Sequence, residues 1–390
     1  MKIGVPKEIK DHEYRVGITP EGVELLVSHG HEVLVQQDAG TRIGFSNENY
    51  LNAGAAMTSS VEEIYSAEMI VKVKEPQPSE IVWFKEGQIV FSYLHLAPEA
   101  VLTQALLDKK IVGIAYETIT DKQNRLPLLT PMSEIAGRIA IQVGAVSLQM
   151  ANGGNGTLLG GTPGVMPGKV LIIGGGVVGM ESAKMAMGLG ADVTIVDIDL
   201  NRLRYLNDTM GPALKTCYSN AHMIKQLAAE ADLVVGAVLI PGKQAPKLIS
   251  REMIQIMKAG SVLVDVAIDQ GGCAETSKAT THSDPTYIVD DVVHYCVANM
   301  PGACARTSTQ ALSNATLPYV LQLADKGYQK ALLDDAGFLN GLNVYHGQVT
   351  NQEIADDLGY DYFSLDSVVP ELQQMSLKRH CNQIQPYLDK

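Results

Sequence analysis

Two groups of residues in this sequence are spaced to do chemistry. The first is the run 170–179, Val-Leu-Ile-Ile-Gly-Gly-Gly-Val-Val-Gly, in which Gly174, Gly176 and Gly179 satisfy GxGxxG directly after an apolar strand pattern. A helical pattern follows, from about 180 to 188. In such a turn Gly174 permits the sharp bend, Gly176 lets the backbone approach a pyrophosphate, and Gly179 lets the helix pack close to the strand. The phosphates then meet backbone N–H groups at the positive end of a helix dipole. Glycine-rich turns also arise for structural reasons alone, so the motif needs its context. Here the next strand pattern, 192–196, leads into Asp197, about 18 residues after Gly179, where an acid hydrogen-bonds an adenosine ribose. A carboxylate at 197 repels a 2′-phosphate, so NAD is expected over NADP. Arg202, five residues on, would soften that preference. A P-loop is excluded, because position 163 is Pro and Val170 follows Lys169.

The second group sits at strand ends, where open α/β sheets bind ligands. Lys74 follows Val71-Lys72-Val73, His95 follows the run 90–94, and Asp269 closes the loop after 262–266. Arg15 lies in the loop after the first strand. These are the side chains that an amino-acid or oxo-acid site would use. Arg grips a planar carboxylate bidentately, Lys adds a point charge, and His exchanges protons near neutral pH. Each also has a bland reading. Arg15 could be a solvated loop arginine, Lys74 a strand-end charge, His95 a packing histidine between Leu94 and Leu96, and Asp269 a turn cap before Gly271-Gly272. Only their coincidence at strand ends argues otherwise.

The elements that must position these residues alternate. Strands are expected at Lys2–Val5, Glu32–Gln36, 69–73, 88–94 and 111–116, with a helix at 20–29. Thr130-Pro131 reads as an N-cap and first-turn proline opening a long apolar helix over 132–150. A glycine-rich loop, 152–168, follows. A second series then begins, with strands at Lys169–Ile173, 192–196, 233–238, 261–266 and 295–298 and a long helix near 308–324. Strand–helix alternation implies an α/β fold with mostly parallel sheets. The expected architecture is two Rossmann-like domains. A doubly wound dinucleotide-binding domain, 128–306, is inserted into a discontinuous substrate domain, 1–127 and 307–390, with a substrate cleft between them.

Composition limits the alternatives. The chain has 390 residues, too many for one ordinary core. An apolar fraction of 46% suits a folded protein, and 19% charged residues are too few for a disordered one. A formal net charge of −13, with no basic run, argues against nucleic acid or an anionic membrane as partner. Five scattered cysteines without CxxC spacing argue against a disulfide framework or structural zinc and for a reducing compartment. No signal peptide and no membrane-length apolar stretch are read, so a cytoplasmic location is expected.

Several longer motifs carry a resemblance. Lys2-Ile3-Gly4-Val5-Pro6-Lys7-Glu8 with Arg15-Val16 and Thr19-Pro20, Val73-Lys74-Glu75-Pro76, Tyr93-Leu94-His95-Leu96-Ala97, Val266-Ala267-Ile268-Asp269-Gln270-Gly271-Gly272 and Val297-Ala298-Asn299-Met300-Pro301-Gly302 resemble the alanine dehydrogenase family over roughly residues 1–370. The resemblance implies oxidative deamination of L-alanine to pyruvate and ammonia, and its reverse, by a homo-hexamer. It implies that Arg15 and Lys74 bind the substrate and that His95 and Asp269 form the acid/base pair. It places Ser133, Val177, Val178, Asp197, Arg202, Ser219, Val238, Leu239, Val266, Ala267, Ile268, Asp269, Val297, Ala298, Asn299 and Met300 around NAD, beside Gly174, Gly176 and Gly179. Glu117 matches a position that looks like a metal contact in some relatives; no metal is expected here. Two other readings stay open: the nucleotide-binding subunit of a proton-translocating transhydrogenase, and an opine- or saccharopine-type dehydrogenase. Residues 371–390 extend past the family's usual end and have no assigned role.

Overall fold

The computed structural model describes residues 1–238 and 244–388. It divides into two compact units, Met1–Pro131 with Cys304–Lys390, and Met132–Ala303.

The first unit opens with β1 (Lys2–Val5), β2 (Glu32–Gln36), β3 (Ala56–Thr58), β4 (Met69–Val71), β5 (Ile89–Ser92) and β6 (Val112–Ala115). The second contains β7 (Lys169–Ile173), β8 (Asp192–Asp197), β9 (Lys215–Tyr218), β10 (Leu233–Gly236), β11 (Val262–Asp265), β12 (Thr286–Val289) and β13 (Val292–Tyr295). The chain then returns to the first unit with β14 (Leu342–Tyr345) and β15 (Gln348–Val349).

In the first sheet the order is β15-β14-β6-β5-β4-β1-β2-β3, parallel except at β14 and β15. The second runs β12-β13-β11-β10-β7-β8-β9, parallel except at β12. Both are doubly wound. Strand order reverses beside β1 in one sheet and beside β7 in the other, which opens a crevice at the C-terminal strand ends. The inner strands are buried on both faces. Met69–Val71 and Leu233–Val235 are wholly enclosed, so they read as continuous apolar runs without alternation.

Helix ends follow local chemistry. Thr19 caps Pro20–Ser28 by accepting from the Gly22 N–H, with Pro20 preset at the first helical position. Thr130, expected as an N-cap, is instead the first residue of helix Thr130–Ser147, and its hydroxyl donates to the Leu126 carbonyl at 2.9 Å. That helix stops at Ser147, short of the expected end at 150, and a 3-10 turn follows at Met150–Asn152. The strand expected at 295–298 lies earlier, at Val292–Tyr295. Its register is set by β11, with Val262 opposite Val293, and beyond Tyr295 the chain turns through Asn299 at φ +63°. The edge strands β3, β9, β12 and β15, together with β14, were not expected from sequence. The helix signals read toward Lys390 correspond to a C-terminal helix, Leu365–Leu388, which contains most of the unassigned tail.

Candidate functional site

In the first unit, Lys74 and His95 follow the adjacent strands β4 and β5, and Arg15 lies in the loop after β1, which pairs with β4. Arg15 is buried, and its guanidinium meets Glu13 edge-on: Nε donates to Oε1 at 2.7 Å and Nη2 to Oε2 at 2.6 Å. Burial opposes this charge, but Glu13 more than offsets it and holds the pKa above its ordinary value. A guanidinium has two edges; Glu13 fixes Nε–Nη2, and this orients the Nη1–Nη2 fork that suits a carboxylate.

Lys74 is also buried, with Nζ 3.4 Å from Glu75 Oε2. Glu75 pairs with Lys10 as well. Burial works the other way, yet Lys74 and Lys10 pull the Glu75 carboxyl down to about 2. The Lys74 main chain is anchored from below. Glu8 Oε1 accepts from the N–H groups of Val73 at 2.7 Å and Lys74 at 3.3 Å. Glu8 Oε2 accepts from Lys72 Nζ at 3.1 Å, and Lys72 Nζ also donates to Glu80 at 2.8 Å. Tyr65 completes the cluster, donating to the same Glu80 oxygen at 2.7 Å. Two carboxylates thus share one buried ammonium. Burial, Glu13 and Glu80 hold the Glu8 carboxyl above its ordinary value, although Lys72 pulls the other way.

His95 is exposed, at φ +46°, and its ring stacks on Tyr93 with 5.8 Å between centroids and 16° between planes. The Tyr93 hydroxyl donates to the Leu128 carbonyl at 2.6 Å. The Arg15 charge interacts with Tyr93, on which His95 stacks, and with Glu8, which accepts from the Lys74 N–H. Glu117 takes a role that was not expected. Its carboxylate accepts from the N–H of Leu94 at 3.1 Å and of His95 at 2.7 Å. Among the described residues no group of three or more potential ligands could hold a metal ion.

The second unit holds the glycine turn. Gly174 has φ +102°, and a Cβ there would lie 2.7 Å from the Ala237 carbonyl oxygen. A Cβ on Gly179 would lie 1.9 Å from the Gly174 oxygen, an impossible contact. A Cβ on Gly176 would meet nothing within 4 Å, so space opens where a phosphate would approach. Gly176 precedes helix Val177–Gly188, and no side chain caps that end. A dinucleotide fits this cradle: open room, backbone donors, and helix-dipole charge together.

Asp197 ends β8 with Oδ2 accepting from the Gly175 N–H at 2.6 Å and Oδ1 from the Asp199 N–H at 2.8 Å. The Ser219 N–H, past β9, donates to the Asp197 carbonyl at 2.9 Å. Arg202 reaches back over the glycine turn: Nε bonds the Gly175 carbonyl and Nη2 the Gly176 carbonyl at 3.3 Å. Val238 follows β10 beside Gly174; Leu239 lies outside the described residues. Ser133 is one turn before Gly137, where a Cβ would lie 2.4 Å from the Val178 oxygen. Val266, Ala267, Ile268 and Asp269 form a 3-10 turn after β11. Asp269 is exposed, and its Oδ1 accepts from the Asn299 N–H at 3.3 Å, which ties the turn to Val297, Ala298, Asn299 and Met300.

Four supporting acids escaped the sequence reading: Glu8, Glu13, Asp265, and Glu117 in the part it plays here. Buried Asp265 fixes the Asp269 turn by accepting from Cys273 N–H at 2.8 Å, Ala267 N–H at 3.1 Å and the Ser277 hydroxyl at 2.5 Å. A signal existed for this one: an acid at the end of the apolar run Val262-Leu263-Val264 must be paired if buried.

The models "Alanine dehydrogenase/PNT, N-terminal domain" and "Alanine dehydrogenase/PNT, C-terminal domain" match residues 4–136 and 140–352. The chain is 56% identical to an alanine dehydrogenase of Halomonas elongata over 370 residues, covering 95% of this chain and 100% of that protein. It is 55% identical to one of Bacillus subtilis, covering 95% and 98%. A solved L-alanine dehydrogenase matches with a TM-score of 0.90 at 50% identity, covering 92% of this chain and 99% of that one. A transhydrogenase from Sinorhizobium meliloti shares the fold, with a TM-score of 0.79 at 23% identity over 90% and 100% of the two chains.

Proposed function

The chain belongs to the alanine dehydrogenase/PNT family, and we propose that it interconverts L-alanine with pyruvate and ammonia using NAD. It is a pyridine-nucleotide-dependent oxidoreductase. The observation that carries the substrate reading is the patch of Arg15, Lys74 and His95 at neighbouring C-terminal strand ends. No helix among the described residues is long and apolar enough to cross a membrane.

The Arg15 fork receives the carboxylate of pyruvate, and Lys74 polarises the keto oxygen and stabilises its developing negative charge. Attack by ammonia gives a carbinolamine, which must lose water to become an iminium. His95 gives and takes the protons of those steps, and Asp269 shares them. When bound, the nicotinamide supplies the hydride for the imine carbon; the protein's task is to orient the reactants. The glycine turn would hold the pyrophosphate, and Asp197 the adenosine ribose. Val177, Val178, Ser219, Val238, Leu239 and the segments 266–269 and 297–300 would line the remainder, with Ser133. We place the reaction in the cytoplasm and the chain in a homo-hexamer; the mass in solution by light scattering checks the second point.

One assay separates this from its rivals: NADH oxidation with pyruvate plus ammonium against pyruvate alone. Oxidation that requires ammonium is expected. Oxidation without it points to a hydroxy-acid dehydrogenase, and retained NADH binding without turnover to a transhydrogenase-type docking subunit. An opine- or saccharopine-type enzyme would need a second amino acid in place of ammonium.

Cofactor choice gives a further test. Asp197→Ala removes the acceptor for the ribose and for the Gly175 N–H. Charge-assisted hydrogen bonds are worth about 1.5–3 kcal/mol, so the KM for NADH should rise ~10- to 100-fold while NADPH is tolerated better. An unchanged NADH/NADPH preference would remove Asp197 from the ribose site.

A further inference from the structure

The turn that presents His95 is strained, and one side chain outside the reaction restrains it. Left-handed φ at a residue other than glycine costs of order 1–3 kcal/mol and persists only where neighbours over-determine it. At His95, φ is +46°. The main-chain N–H groups of Leu94 and His95 converge on a single acceptor, the Glu117 carboxylate, with contacts of 3.1 and 3.3 Å from Leu94 and 2.7 Å from His95. Successive N–H groups turned to one side form a concavity suited to an anion, and Glu117 supplies that anion from within the chain.

The fold sets Glu117 there. Strands β5 and β6 run parallel with Ser92 opposite Ala115, so the residues just past β6 lie across from those just past β5. Tyr116 anchors the next step: its hydroxyl donates to the Lys72 carbonyl at 3.0 Å, and its ring packs edge-on against Phe91 at 4.4 Å and Tyr93 at 5.0 Å. The same Tyr93 ring stacks on His95. Backbone and ring of His95 are thus both referred to the 116–117 turn.

We propose that Glu117 is a positioning residue: it holds the strained main chain at Leu94–His95 and thereby sets the His95 imidazole where the proton transfers occur. This rests on the reading of His95 as the acid/base group. Glu117→Gln keeps the size of the side chain, but its amide offers a donor to one of two donors. The left-handed turn loosens, and a displacement of ~1 Å at the catalytic group can cost about 10²-fold in rate.

The test is a double-mutant cycle on the full chain: wild type, Glu117→Gln, His95→Ala, and the double variant. Ammonium-dependent kcat, pyruvate KM, NADH affinity by fluorescence quenching, and Tm are measured for each. We expect Glu117→Gln to lower kcat ~10- to 100-fold, with KM and NADH affinity within about threefold of wild type. In the His95→Ala background the same change should lower kcat no further, because the route by which Glu117 acts is gone. An equal loss in both backgrounds, a loss reversed by added magnesium, or no loss at all overturns the proposal. A His95→Ala protein as fast as wild type would instead remove the assignment of His95, a different failure visible in the same data set.

Discussion

His95→Ala should lower ammonium-dependent kcat by at least ~10²-fold while leaving NADH affinity within a factor of about two, since general acid–base help is worth ~10²–10⁴-fold. The split follows from placement. His95 lies in the unit built on β1–β6, whereas the glycine turn, Asp197 and Arg202 lie in the unit built on β7–β13. Loss of the imidazole therefore removes proton transfer without touching the phosphate cradle. His95 itself is exposed, although the Tyr93 ring it stacks on is buried, so truncation should cost little stability and Tm should stay close to that of wild type. Stopped-flow NADH oxidation gives kcat, and fluorescence quenching gives NADH affinity. Turnover above about a tenth of wild type would shift the acid/base role to Asp269, whose own replacement is then the deciding variant.

Lys72→Met should be the most destabilising single change in the first unit, by about 3–5 kcal/mol at pH 7.5, because it strands two buried carboxylates. Lys72 is fully buried between Glu8 and Glu80, and those carboxylates outweigh burial and hold its pKa above the ordinary value. The pH dependence has a definite sign. Without the ammonium, the Glu8 carboxyl, already raised by burial, loses the one charge that pulls it down, so the folded protein binds a proton there more readily than the unfolded one. Stability of the variant is then recovered as pH falls toward the unfolded carboxylate range and lost as pH rises through the raised Glu8 value. The deficit relative to wild type should therefore shrink between pH 7.5 and pH 5.5. Urea midpoints at the two pH values measure it, and a deficit that widens on acidification would contradict the argument. Glu8→Gln and Glu80→Gln added to Lys72→Met should restore much of the loss, since neutral amides no longer need the ammonium. Because Glu8 also holds the Val73 and Lys74 N–H groups, the single variant should raise the pyruvate KM as well.

The glycine turn was legible in the sequence because its signal is local. Three glycines at fixed spacing, an apolar strand before and an acid after the next strand each have one geometric reason, and all fall within about 30 residues. The inner parallel strands were legible for a similar reason: burial on both faces writes an unbroken apolar run. The strands that were missed lack that record. β9, Lys-Thr-Cys-Tyr, is largely accessible at a sheet edge, and β14 is defined by its antiparallel pairing with β6, more than 200 residues away in the chain. The shift of β13 has the same origin, since its bounds follow its register against β11 and the local residue pattern leaves them open.

By itself the sequence determined which chemical groups stand at the strand ends: Arg15, Lys74, His95 and Asp269, with Asp197 beside the glycines. It did so because strand, turn and helix periodicities act over a few residues. Only the tertiary structure decided how those groups are held. Glu117 reaches back 22 residues to the His95 N–H, and Glu8 reaches forward 65 to the Val73 N–H. Such pairings depend on which strands lie side by side, and hydrogen bonds across that separation leave no period in the chain that could announce them.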